Sequence, residues 1–135
     1  MAFKIHTVLD GHIPSWQYLP AAAGTYSAGQ ATVFSGGKLV PVSSGVGEDT
    51  DEGRHYICMA DTVIAEGGEL PVVGAEEMIL WEAPLAADAA SLAAGQAYTI
   101  SADGMKMTAT ATKGCCTVLR VSGKQAGDPV ILRLV

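Results

Sequence analysis

Basic residues are scarce in this chain. Eight lysines and arginines, scattered singly, stand against fourteen aspartates and glutamates, for a formal charge of −6. A nucleic-acid binder needs a basic stripe to displace counterions from phosphates, and none is present; the same shortage argues against an anionic membrane surface. Long apolar runs are missing as well. No stretch approaches the roughly 18 residues of a membrane span, and the opening MAFKIHTVLDGH lacks the charged-then-apolar layout of a secretory leader. Reducing cytoplasm is therefore the expected setting, with no nucleic-acid and no membrane partner. Cysteine is rare and odd in number. Three cysteines cannot make a closed disulfide framework, CxxC is absent, and the adjacent Cys115 and Cys116 would point to opposite faces of a strand. These two, and Cys58 in HYICMA, read as small apolar side chains rather than metal ligands.

Catalytic signatures are missing too. His6, His12 and His55 lie in unrelated contexts: a strand-like run, a turn and the edge of an acidic stretch. No GxSxG elbow and no GxxxxGK[ST] phosphate loop occurs. The segment 43–54, SSGVGEDTDEGR, holds Glu48, Asp49, Asp51 and Glu52 but fails the EF-hand order of a central Gly and a closing Glu, so it reads as a solvated loop. No catalytic, cofactor-binding or metal residue is assigned, no cofactor is expected, and the chain is not expected to be an enzyme.

What the chain does have is glycine, sixteen in all, punctuating short alternating runs. The run AGQATVFSGG at 28–37 returns as AGQAYTISADG at 94–104. In each, a small-Gly-Gln corner feeds an alternating run, meets a Gly-bearing turn, and comes back as a second run at 38–42 or 105–110. That is the sequence form of a β-hairpin. A shorter echo, AGDPV at 126–130, opens the last strand. The 135 residues fit one domain with a single core. The fold class is all-β: a small β-barrel or sandwich of short hairpin-connected strands, with an extended N-terminal arm at 1–23, a β-barrel domain at 24–135, and at most one short helix.

The arm differs from the rest. FKIHTVL alternates, DGHIP breaks it, and SWQYLP sets Trp16, Tyr18 and Leu19 between two prolines, which favours extended chain over helix. Ile13, Trp16, Tyr18 and Leu19 either fold back on the body's core or dock on a neighbouring subunit as interface anchors. Further on, 55–60 reads as a strand with Tyr56 and Cys58 on one face and Ile57 and Met59 on the other. Residues 70–73 and 78–82 look like another pair of strands around Gly74. The run MILW around Trp81 is apolar on both faces, as in a central or doubly covered strand. PLAADAASLAA at 84–94 has helix propensity, Pro near its start and Gly after its end; it reads as a short helix or turn crossing one end of the barrel. Strands at 116–121 and 129–135 close the chain.

Met105-Lys106-Met107 matches the MKM in which biotin-carrier domains present their modified lysine. Here, however, the turn is ADG, so Lys106 falls inside the returning strand, and Asp-Gly precedes the motif where that family usually has Glu-Ala. A surface lysine between two packed methionines is the simpler reading.

The stretch WQYLPAAAGTYSAGQATVFSGGKLVPVSSG resembles the opening of small capsid decoration (cement) proteins of tailed bacteriophages and prophages: a YLP-type arm, a G-T-Y turn and a hairpin around SGGKL. ADAASLAAGQAYTISADGMKMTAT and AGDPVILRLV are similar to the same family's later hairpin and closing strand. The resemblance covers most of the chain, from about Trp16 onward, in turn and strand patterns. It implies a compact β-barrel on the outer surface of an expanded phage head. There it would bind the major capsid protein, lock neighbouring subunits and act as a homo-oligomer, commonly a trimer; the protein would be part of the virion and assembled in host cytoplasm. Two other roles stay open at this point: a head–tail joining or tail component, and a biotin- or lipoyl-type carrier modified at Lys106.

Overall fold

The computed structural model describes residues 2–12, 14–42, 54–111 and 114–134. The acidic loop expected at 47–54 falls almost wholly outside them. The alternating runs form two five-stranded antiparallel sheets and a two-stranded ribbon. The first sheet runs β1 (Lys4–Val8), β9 (Ile79–Pro84), β12 (Pro129–Leu134), β11 (Cys116–Val121) and β10 (Ala97–Tyr98). The second runs β2 (Gln17–Pro20), β8 (Glu69–Gly74), β6 (Tyr56–Cys58), β4 (Ala31–Ser35) and β5 (Lys38–Pro41). The ribbon pairs β3 (Gly24–Tyr26) with β7 (Thr62–Ile64). Neither sheet closes into a barrel. The second curls until Ala21, just past β2, meets Leu39 of β5 in a single parallel bridge.

Alternation explains the layers. The inward residues of the first sheet, among them Trp81, Val118, Leu132 and Leu134, pack with Ala31, Val33, Ile57 and Val73 of the second in one core. The opposite face of the second sheet carries Leu39, Cys58, Leu70 and Val72, and these form a smaller core with Tyr26 and Ile64 of the ribbon. Tyr26 is 2% exposed, and its hydroxyl donates to the carbonyl of Ala22 at 2.7 Å, so the polar end of this buried ring is satisfied. The second sheet is thus covered on both faces, the first on one.

The repeated corner has the same geometry in all three copies. Gly29, Gly95 and Gly127 have φ of 84°, 88° and 88°. Each is third in a turn closed by an N–H to C=O bond: Gln30 to Ser27, Gln96 to Ala93, Asp128 to Gln125. A positive φ at that position is the type II arrangement, which needs glycine. Each glycine N–H then donates to a strand carbonyl, of Cys58, Val118 or Leu85, and that residue's own N–H donates back to the carbonyl of Gln30, Gln96 or Asp128. One tripeptide thus makes a turn and a two-bond dock, and each copy launches a strand.

Several expectations change. No helix occurs among the described residues. The Ala-rich 84–94 segment spends its amides on other segments, Leu85 on Asp128, Ala86 on Met107 and Ala89 on Lys124, so tertiary bonds override propensity. The strands on either side of Gly74 are not a hairpin, because β8 and β9 belong to different sheets. Trp81 does lie on an interior strand, between β1 and β12. The cysteine pair does not split across a strand. Cys115 precedes β11, where alternation does not yet apply, and both sulfurs sit in the main core 3.9 Å apart. Among the described residues of the expected arm, two strands form and do not project: β1 pairs along β9 and β2 along β8, each at the edge of a sheet.

Candidate functional site

The four interface candidates from the arm separate in the structure. Ile13 lies outside the described residues. Leu19 faces Leu70 across the β2–β8 ladder and packs, half-buried, against the smaller core. Trp16 and Tyr18 are 50% and 61% exposed. Tyr18 pairs with Pro71, on the side of the second sheet that faces the main core, but at an edge strand where nothing from the first sheet covers it. The backbone of this segment is therefore anchored in its own chain while two aromatic side chains face solvent. Such pre-ordered aromatics lose little conformational entropy if they are buried by a partner.

The three histidines do not converge, and Glu48, Asp49, Asp51 and Glu52 lie outside the described residues. His6 is near Glu82 at 3.8 Å, His12 lies 3.3 Å from Asp10 in an exposed turn, and His55 is buried just before β6. The His12 backbone amide, the main influence, holds the Asp10 carboxyl below its usual range. Among the described residues no group of three histidine, cysteine, aspartate or glutamate side chains could hold a metal ion. All three cysteines are buried and unbridged. Burial pushes the Cys58 thiol up, and burial together with the neighbouring Cys115 raises that of Cys116.

Lys106 lies beyond the tip of its hairpin. Its amide donates to the Ser101 hydroxyl at 3.1 Å and its carbonyl accepts the Ser101 amide at 2.8 Å, so the turn itself is 102–105 and the lysine is half-buried at its base. Burial works against the charge of Asp103 in this turn. The Ser101 hydroxyl, the Met105 amide and the Lys106 charge outweigh it and keep the carboxyl below its usual range.

A cleft of about 420 Å³ opens beside Phe3, Lys4, Met59, Trp81 and Pro129. The indole N–H of Trp81 is buried without an acceptor among the described residues. Sequence reasoning did not find the other exposed apolar side chains, Leu9, Phe34, Val63, Met78 and Leu119. Each belongs to an ordinary alternating or apolar run, and alternation tells two faces apart without saying which one is covered. No protein-family model matches the chain, and no curated protein matches it.

Proposed function

We propose that this is a structural virion protein that binds the outer surface of an expanded phage capsid, bridges neighbouring major capsid subunits and acts as a homo-oligomer, without catalysis. The observation that carries the reading is the edge strand β2, which is paired to β8 and holds Tyr18 outward, with the exposed Trp16 just before it. The stretches that resemble decoration proteins run through that strand, the G-T-Y of β3 and the SGGK turn between β4 and β5. A clamp needs a stiff body with exposed anchors, and two packed cores behind an aromatic edge supply both. Many copies on one particle would add avidity to modest single contacts.

Co-sedimentation of the protein with expanded heads, with unexpanded heads as control, tests this. Saturable binding to expanded heads alone, reduced at least tenfold by Trp16→Ala with Tyr18→Ala, is the expected result. Absence of binding to either form would overturn the capsid role. Copy number per virion distinguishes the head–tail reading, since a connector would be present in only a few or a dozen copies.

A further inference from the structure

The outer face of the first sheet has no layer over it among the described residues, yet it is not an ordinary polar face. Register puts Lys4, Glu82, Ile131 and Arg120 in one row across the strands, and Thr7 with Leu80 in the next. Pairing slips at two places, between Ile5 and Thr7 and between Val118 and Arg120, which leaves His6 and Leu119 as the extra residues. Both extra residues, with Thr7, Leu80, Arg120 and Ile131, line a shallow cup of about 230 Å³. Ile131 is only 8% exposed and belongs to neither core, so its own outer-face neighbours shelter it. Past Thr7 and Leu80 the ladder continues to Leu9 and Met78, which are joined by a 2.7 Å backbone bond and are 50% and 44% exposed. Leu9, Met78, Leu80, Ile131 and Leu119 together make one apolar stripe.

The two ends of that stripe carry opposite charge. At the Leu119 end is Arg120, which is exposed; Arg133, whose Nε is buried with no acceptor among the described residues, lies further along β12, opposite Thr117. Lys4 and Glu82 neutralise each other at 3.1 Å, so Arg120 sets the sign there. At the Leu9 end are the exposed acids Asp10, Glu76 and Glu77. An apolar stripe with a basic end and an acidic end is complementary to itself. Rotation by half a turn about an axis in the interface, across the stripe, lays each basic end over the other copy's acidic end and stripe on stripe. This is the isologous pattern of a closed two-fold pair.

We infer that two copies of this chain associate face to face through the outer surface of the first sheet, with Arg120 of each meeting Asp10, Glu76 and Glu77 of the other. The occupant is a second copy because the chain itself carries both halves of the match, apolar and charged, on one continuous face. The inference goes beyond the capsid role and stands apart from it. It also departs from the three-fold assembly that the resemblance implies.

Sedimentation velocity on the full chain, over a wide concentration range and at low and high salt, tests it without any heads present. The expected result is a monomer–dimer equilibrium that salt weakens. Arg120→Glu and Glu76→Lys should each raise the dimer dissociation constant about tenfold, and the double swap in one chain should restore it to within a few-fold. Both positions are exposed, so circular dichroism and Tm should match the parent and separate lost association from lost folding. A protein that stays monomeric at the highest concentration, or sediments as a trimer, overturns the inference. So does a dimer indifferent to both single changes, or a double swap that stays as weak as either.

Discussion

The two full copies of the repeat, at 28–41 and 94–110, begin with the same docked corner and then diverge. The first runs into β4, turns through Gly36 and Gly37 with φ of 61° and 83°, and returns as β5 in a regular ladder from Ser35–Lys38 to Thr32–Pro41. A two-residue turn with both residues at positive φ matches the twist of the strands it joins. The second copy has a longer turn, 102–105, and yields only the two-residue β10 and one Ile100–Met107 bridge. Three backbone bonds still join its two runs, Ser101 to Lys106, Thr108 to Thr99 and Thr99 to Thr110, and side chains add to them: Thr99 and Thr108 share a 2.6 Å hydroxyl contact, and Asp103 ties Ser101 to Met105. The corner sets where a strand starts; the turn that follows decides whether a regular hairpin forms.

The corners also differ in what lies on them. At Gly29 an added Cβ would fall 2.4 Å from the Ala2 Cβ and 2.6 Å from the Phe3 carbonyl oxygen, because the N-terminal segment crosses there and Phe3 donates to the Gly29 carbonyl at 3.1 Å. At Gly95 nothing lies within 4 Å. Gly29→Ala should therefore be the most damaging change to the repeat, costing more than about 2 kcal/mol, since backbone must move and φ is strained. Gly95→Ala has only the φ penalty, about 1 kcal/mol. Urea denaturation of the two variants measures the gap, and equal losses would show that the crossing segment does not press on the first corner.

A smaller effect sharpens the contrast between the turns. Gly37→Ala should cost about 1 kcal/mol, because its surroundings are open and only the φ of 83° opposes a side chain. The smallest effect belongs to the second turn. Asp103 is held below its usual range, so its ionised form stabilises the fold above the unfolded carboxylate range, and that contribution disappears as pH falls through the lower folded value. Asp103→Asn should lower Tm at neutral pH, and the difference from the parent should close below about pH 4. A Tm gap constant with pH would remove the charge of Asp103 from the account.

Much of this was legible in the chain. The AGQA repeat predicts two corners and a β4–β5 hairpin, and the AGDP echo predicts the start of β12. Each depends on glycine at positive φ, a local requirement that a sequence displays directly. MILW predicts an interior strand because both of its faces are apolar. For the Ala-rich 84–94 segment, expected as a short helix or turn, the turn prevails, because helix propensity is weak beside the amide partners offered by Met107, Lys124 and Asp128, which are distant in the chain. The arm was half legible: prolines and alternation predict extended chain, but not that β1 and β2 would pair at the edges of two different sheets.

By itself, then, the sequence determined the all-β class, the places where strands begin and turn, and the glycines that turns demand, because these depend on neighbours a few residues away. Only the tertiary structure decided which sheet each strand joins and that Leu19 turns inward while Tyr18 stays out. It also decided that, among the described residues, the second sheet is covered twice and the first once, so that Leu9, Met78, Leu80 and Leu119 line up around the sheltered Ile131 on a face with no layer over it. A period of two separates the faces of a strand; whether a face is buried depends on what the rest of the chain lays against it.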